Sequence, residues 1–266
     1  MKLFGTTAGI GTAPLVALHG GFGLDHSYFL PWLAQAPARM ALPDLRGCGR
    51  SPQEGIEEAS LETLAQDVEE MRELLGHRSW VVLGHSFGSY VALQYAHMYP
   101  QHTRALVLIS GAPAFDYPDL IAANLSRLAT PEQAAVLAKA SAAPLESDVE
   151  MRRGWNLLLP LYFHRFDPRV AEQMDSAMRY SATALFHGFR MLSQFSSLPW
   201  ISELHMPALA VAGRYDWMAP PAQGAQRLAR GLPQARLHIF EESGHFPFIE
   251  ENSAFLQLLG DFIHAL

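Results

Sequence analysis

Cysteine is almost missing from this chain. Its 266 residues include one, Cys48, so no internal disulfide can form, and a reducing compartment, the cytoplasm, is the expected location. Basic clusters are missing too. Lys and Arg number 19 against 26 Asp and Glu, for a formal net charge of −7, whereas a nucleic-acid surface needs clustered cations to neutralise phosphates. Nucleic acid is not an expected partner. Nor is there a long apolar run. The first, Pro14 to Leu18, is far too short to span a bilayer, and no continuous apolar stretch follows Lys2, so neither membrane insertion nor secretion is expected. No H-E-x-x-H spacing occurs, and one cysteine cannot build a thiolate cluster. No G-x-G-x-x-G or G-x-x-x-x-G-K-[ST] follows a strand-like run either. No metal and no cofactor is expected.

What is present is a globular composition, 49% apolar and 17% charged. Short apolar runs recur at Leu15 to Leu18, Arg39 to Leu42, Trp80 to Leu83, Ala105 to Ile109, Ala208 to Ala212 and Leu237 to Phe240. Helical segments separate them. Leu61, Leu64, Val68, Met71 and Leu75 follow the spacing of an amphipathic helix, with Gly76 as its stop signal; the stripe reads as core packing. This alternation predicts an α/β fold, a mostly parallel sheet with helices on both faces. It breaks between about Pro113 and Pro199, where helical patterns cover Asp119 to Leu128, Pro131 to Ala140, Asp148 to Leu158 and Arg169 to Arg190. The expected organisation is a core of residues 1–112 and 200–266 with a helical cap inserted at 113–199. Aromatic and Met residues of the insertion, among them Trp155, Tyr162, Phe163, Phe189 and Met191, are candidates to line an apolar cavity, with packing among the cap helices as their simpler use.

The chemistry centres on Gly84-His85-Ser86-Phe87-Gly88. A hydroxyl is a weak nucleophile and needs both an adjacent base and an exposed placement. Here a buried strand precedes Ser86 and a helix, Phe87 to Tyr99, follows it, so Ser86 is expected on a sharp strand-to-helix turn that its flanking glycines permit. The base is expected to be His245, in Ser243-Gly244-His245-Phe246 after the last strand, and the orienting acid Asp216, in Gly213-Arg214-Tyr215-Asp216. Asp116 is the competing acid. His85 is expected to point away from the site and to pack or hydrogen-bond locally. Oxyanion donors are expected from the N–H of Phe87 and from His19-Gly20-Gly21-Phe22-Gly23, with Gly21 first and Phe22 second. Phe22, Trp217 and Tyr162 are the candidate substrate contacts.

These residues resemble the α/β-hydrolase superfamily, and within it the branch of the proline iminopeptidases. The resemblance runs from about Pro14 to Leu266. His19 to Gly23 is similar to that branch's H-G-G-P-G, and Asp44-Leu45-Arg46-Gly47-Cys48-Gly49-Arg50-Ser51 looks like its D-Q-R-G-C-G-R-S; Leu159 to Phe163 also has a familiar look. The resemblance implies an α/β-hydrolase fold with a Ser-His-Asp triad. Since the family's fourth residue in the first motif is a proline, which has no N–H, it also implies Gly21 as the loop's donor. Three departures stand out. Ser86-Phe87-Gly88-Ser89 replaces S-W-G-G or S-Y-G-G. Trp217 follows Asp216 where some relatives carry a carboxylate for the substrate amine, and Tyr180 to Pro199 has no Asp or Glu. Lastly, about a dozen residues precede the first core strand, so the sheet should lack its first strand or begin with a very short one.

The expected activity is therefore hydrolysis of small carboxylic esters through an acyl-enzyme. The alternative is an aminopeptidase of the proline iminopeptidase type, on short peptides. Lactones and C–C bonds are further substrates open to the same residues, and a non-catalytic ligand-binding protein on the same fold is the reading from another class.

Overall fold

The computed structural model describes residues 2–266, the side chain of Ser141 excepted. Its seven strands are β1 (Gly5–Ala8), β2 (Pro14–Leu18), β3 (Arg39–Pro43), β4 (Trp80–His85), β5 (Thr103–Ile109), β6 (Ala208–Gly213) and β7 (Ala235–Phe240). They form one sheet in the order β1, β3, β2, β4, β5, β6, β7, parallel throughout except for the antiparallel β1 and β3 pair. The sheet opens with a strand of 4 residues, as the short leading segment predicts. Every residue of β4 and β6 is buried, which is why both read as unbroken apolar runs.

Helices flank this sheet, the α/β arrangement that the alternation predicts. After β2 comes α1 (Leu30–Leu33); α2 (Leu61–Leu74) joins β3 to β4, and α3 (Phe87–Met98) joins β4 to β5. Between β5 and β6 lie α4 (Pro118–Leu128), α5 (Pro131–Ala142), α6 (Asp148–Leu158), α7 (Pro168–Ala177) and α8 (Ala182–Gln194). The chain closes with α9 (Ala225–Gly231), α10 (Pro247–Glu250) and α11 (Asn252–His264). In α2, Ser60 and Thr63 cap each other reciprocally, Leu61, Leu64 and Val68 are buried, and Gly76 at φ 70° ends the helix.

The helices between β5 and β6 leave and rejoin the core at one place. Ala114 and Ser196 form an isolated antiparallel bridge, and Ser197 donates from both its N–H (2.8 Å) and its hydroxyl (2.7 Å) to the Pro113 carbonyl. One expectation fails inside this segment. The periodicity of Arg169 to Arg190 suggests a continuous helix, but the backbone turns extended at Met178 and again at Ser181, separating α7 from α8. The cause is docking onto the core. Arg179 donates its N–H to Asp25 Oδ2 (3.1 Å) and Ser181 donates its own to the Gly23 carbonyl (2.7 Å), so neither bonds within a helix. The Ser181 hydroxyl then caps α8 by accepting from the Ala184 N–H at 3.3 Å.

Candidate active site

Ser86 lies between the end of β4 and the start of α3, at φ 52° and ψ −117°. This is backbone that residues with a Cβ avoid, at a cost of roughly 1–3 kcal/mol, and such strain concentrates at functional sites. The flanking glycines allow it. A Cβ on Gly84 would sit 2.3 Å from the Gly88 carbonyl oxygen, and one on Gly88 would sit 2.1 Å from that of Leu18. Phe87 is the first residue of α3, where an N–H has no acceptor within the helix.

His245 and Asp216 come together from the ends of β7 and β6. His245 Nδ1 is 2.8 Å from Asp216 Oδ2, with both side chains buried. A carboxylate only accepts, so Nδ1 carries the proton and the neutral ring leaves Nε2 bare. The other carboxylate oxygen accepts the N–H groups of Met218 (3.0 Å) and Ala219 (2.9 Å). Asp216 is thereby held on both oxygens. Gly213 lets the two loops approach, since a Cβ there would lie 2.0 Å from the Gly244 carbonyl. Asp116, the competing acid, is engaged elsewhere, in a paired contact with Arg227 at 2.6 and 2.9 Å.

The loop from His19 to Gly23 runs beside Ser86. Gly20 packs so closely on the turn that an added Cβ would be 2.7 Å from that of Ser86. Two of its N–H groups are committed: Gly20 donates to the Tyr28 hydroxyl (2.5 Å) and Gly23 to Cys48 Sγ (3.3 Å). Gly21 and Phe22 remain as the candidate donors. His19 Nε2 accepts the Leu45 N–H at 3.0 Å, so its Nδ1 carries the proton and donates to the Gly20 carbonyl, also at 3.0 Å. Burial pulls His19 below the ordinary histidine range and favours this neutral form. In a trans peptide the next N–H points opposite to that carbonyl, so His19 sets the direction of the Gly21 N–H.

Ser86 and His245 open on one cavity of about 1130 Å³, its mouth to solvent included. Gly21, Phe22 and Phe87 line the core side, and Trp155, Leu158, Tyr162, Leu185 and Phe189 are among the lining residues from the inserted segment. Among the described residues no Asp, Glu, Lys or Arg lines it. Phe163 and Met191, candidates for this wall, are not part of it. Trp217 is absent as well: it is buried behind Tyr162, 5.4 Å between ring centroids, and its neighbour Met218 faces the cavity.

A family model described as the alpha/beta hydrolase fold matches residues 13–252. The chain belongs to the α/β-hydrolase family. It is similar to a proline iminopeptidase of Lactobacillus delbrueckii subsp. bulgaricus, 28% identical over 94% of this chain and 90% of that protein. Among solved structures it resembles an esterase from Exiguobacterium antarcticum, with a TM-score of 0.76 and 20% identity over 98% of this chain and 95% of that one. It also resembles the enol-lactonase of Burkholderia xenovorans LB400, with a TM-score of 0.76 and 21% identity over 98% and 96%. These structural likenesses attest the fold.

In this α/β hydrolase several residues around the site are not evident from local sequence. Glu250 accepts the N–H groups of Gly244 (2.7 Å), His164 (2.8 Å) and Arg165 (3.1 Å), tying the His245 loop to the inserted segment. Burial raises its carboxyl above the ordinary range, and those three donors only moderate the rise. His85, expected to pack or hydrogen-bond locally, packs against Phe246 and Phe248, but its hydrogen bonds reach beyond its own turn, to Tyr28 (2.8 Å) and the His245 carbonyl (3.0 Å). The second signature motif is architectural. Asp44 Oδ1 pairs with His26 Nδ1 at 2.5 Å, its Oδ2 accepts the Arg50 N–H at 2.8 Å, and Arg46 grips Asp67 through two bonds of 2.8 and 2.6 Å. Among the described residues no three His, Cys, Asp or Glu side chains gather as metal ligands, and no helix is long and apolar enough to cross a membrane.

Proposed function

We propose that this hydrolase cleaves neutral carboxylic esters through an acyl-enzyme, beneath a cap formed by residues 113–199. Ser86 attacks the ester carbonyl while His245 Nε2 takes its proton; Asp216 holds the ring in the required tautomer and stabilises its cation. The oxyanion is held by the N–H groups of Gly21 and Phe87, with Phe22 as the second donor in the loop. The imidazolium then protonates the departing alkoxide, and water activated by the same histidine releases the acid. Phe22 and Tyr162 contact the substrate. Since the only cysteine is free and buried, a reducing cytoplasm belongs to the same proposal.

The observation that carries the ester reading is the cavity lining, which among the described residues includes no Asp or Glu. An aminopeptidase must bury a substrate ammonium, and an unpaired buried cation is costly. Action on N-terminal proline peptides is the second reading, favoured by the proline iminopeptidases similar to this chain. Turnover of neutral p-nitrophenyl esters, of a carboxylate-bearing p-nitrophenyl ester and of amino-acid p-nitroanilides, including proline, separates the two. The neutral esters should react fastest, and Ser86→Ala should abolish that activity. Rapid prolyl anilide turnover would reverse the order.

A further inference from the structure

Tyr28 and His85 are buried polar side chains beside the site that the mechanism above leaves without a role, at 1% and 2% exposure. They sit among rings: His85 lies 5.1 Å from each of Phe246 and Phe248, and Tyr28 lies 4.6 Å from Phe29. Their hydrogen bonds have only one consistent direction. His85 Nε2 faces the His245 carbonyl at 3.0 Å, and a carbonyl cannot donate, so Nε2 carries the proton. Nδ1 of the neutral ring is then an acceptor, and its partner at 2.8 Å is the Tyr28 hydroxyl, which must donate to it. The Tyr28 oxygen in turn accepts the Gly20 N–H at 2.5 Å. Neither member is charged, because burial pushes His85 well below, and Tyr28 far above, their ordinary ranges.

We infer that Tyr28 and His85 are positioning residues: a one-directional chain, Gly20 N–H to Tyr28 O–H to His85 and on to the His245 carbonyl, fixes the oxyanion loop relative to the base. The inference rests on the proposed roles of Ser86, His245 and Gly21. The two ends of the chain are the two parts that must keep register with Ser86. Gly20 lies directly before Gly21, with its carbonyl already turned by His19, so its N–H bond fixes the remaining freedom of the loop. At the other end Ser110 Oγ also donates to the His245 carbonyl at 3.0 Å. Loss of the His85 bond therefore leaves that carbonyl partnered and the loop folded.

Transition-state groups held loosely cost rate more than binding. With active sites titrated by a fluorophosphonate, Tyr28→Phe should lower kcat on a p-nitrophenyl ester roughly ten- to a hundredfold, while KM stays within about twofold. His85→Leu should behave alike. His85→Gln, whose amide can still donate to the His245 carbonyl, should recover most of the loss. In 15N-histidine spectra of the wild-type protein, the resonance missing from His85→Gln should have the Nε2–H tautomer. A merely structural role would lower Tm and the titratable fraction but leave kcat per titrated site unchanged, and that result, or an Nδ1–H tautomer, overturns the inference. Activity that survives Ser86→Ala would instead sink the underlying hydrolase mechanism, so the two failures are distinguishable.

Discussion

Asp44 ties three backbone and side-chain groups around the site, the His26 ring and the N–H groups of His26 and Arg50. Burial by itself would raise its carboxyl, but the hydrogen bonds from His26 and the Arg50 N–H outweigh that and leave its pKa lowered. A folded-state pKa below the unfolded one stabilises the protein at pH above the unfolded value, and the gain is lost as pH falls through the folded value. Asp44→Asn should therefore cost about 2 kcal/mol at neutral pH, in line with losing hydrogen bonds to a charged group. In urea denaturation, the gap between wild type and variant should be the same at pH 7 and pH 5 and narrow only below the ordinary aspartate value of about 3.8. A gap that widens in acid would contradict this account. At this scale, legibility depends on sequence distance. Ser86, Asp216 and His245 each sit in a short motif after a strand and can be named from it. Tyr28, Glu250 and Asp25 cannot, since each also binds a partner, 57, 86 and 154 positions away respectively, that no local pattern marks.

Among the elements, the turn from β4 to α3 is tightly constrained. Periodicity and glycine placement predict it, and the structure supplies the reason: each glycine faces backbone that cannot retreat, Gly84 against Gly88 and Gly88 against the Leu18 carbonyl. Gly88→Ala should destabilise the fold by on the order of 2 to 4 kcal/mol, because a contact of 2.1 Å to a strand carbonyl must open. Thermal unfolding measures it; a Tm within a degree of wild type would mean that β2 yields more easily than a sheet interior should. The break between α7 and α8 marks the limit of such reading. The helical pattern continues through Met178 to Ser181, and Gly23 and Asp25, in the loop after β2, divert the backbone N–H groups of Ser181 and Arg179 that a continuous helix would use. Helical periodicity records a buried face and not the partner that interrupts it.

In the whole molecule, the core brings three loops to one end of the sheet, and the inserted helices supply the apolar wall opposite them. The α/β order, the short first strand and the inserted helices all follow from alternation and length, because parallel strands buried on both faces leave continuous apolar runs. The cavity wall does not follow. Trp155, Tyr162 and Phe189 face the cavity while Phe163, Met191 and Trp217 do not, a distinction that depends on how the inserted helices dock and not on their composition. Convergence of the three loops on Ser86 is the central claim, and covalent capture tests it most directly. Intact-mass and peptide mapping after reaction with a fluorophosphonate should find one adduct, on the peptide containing Ser86. That adduct should be absent from Ser86→Ala and should form far more slowly in His245→Ala. An unmodified wild-type protein, or an adduct on any other residue, would contradict the account.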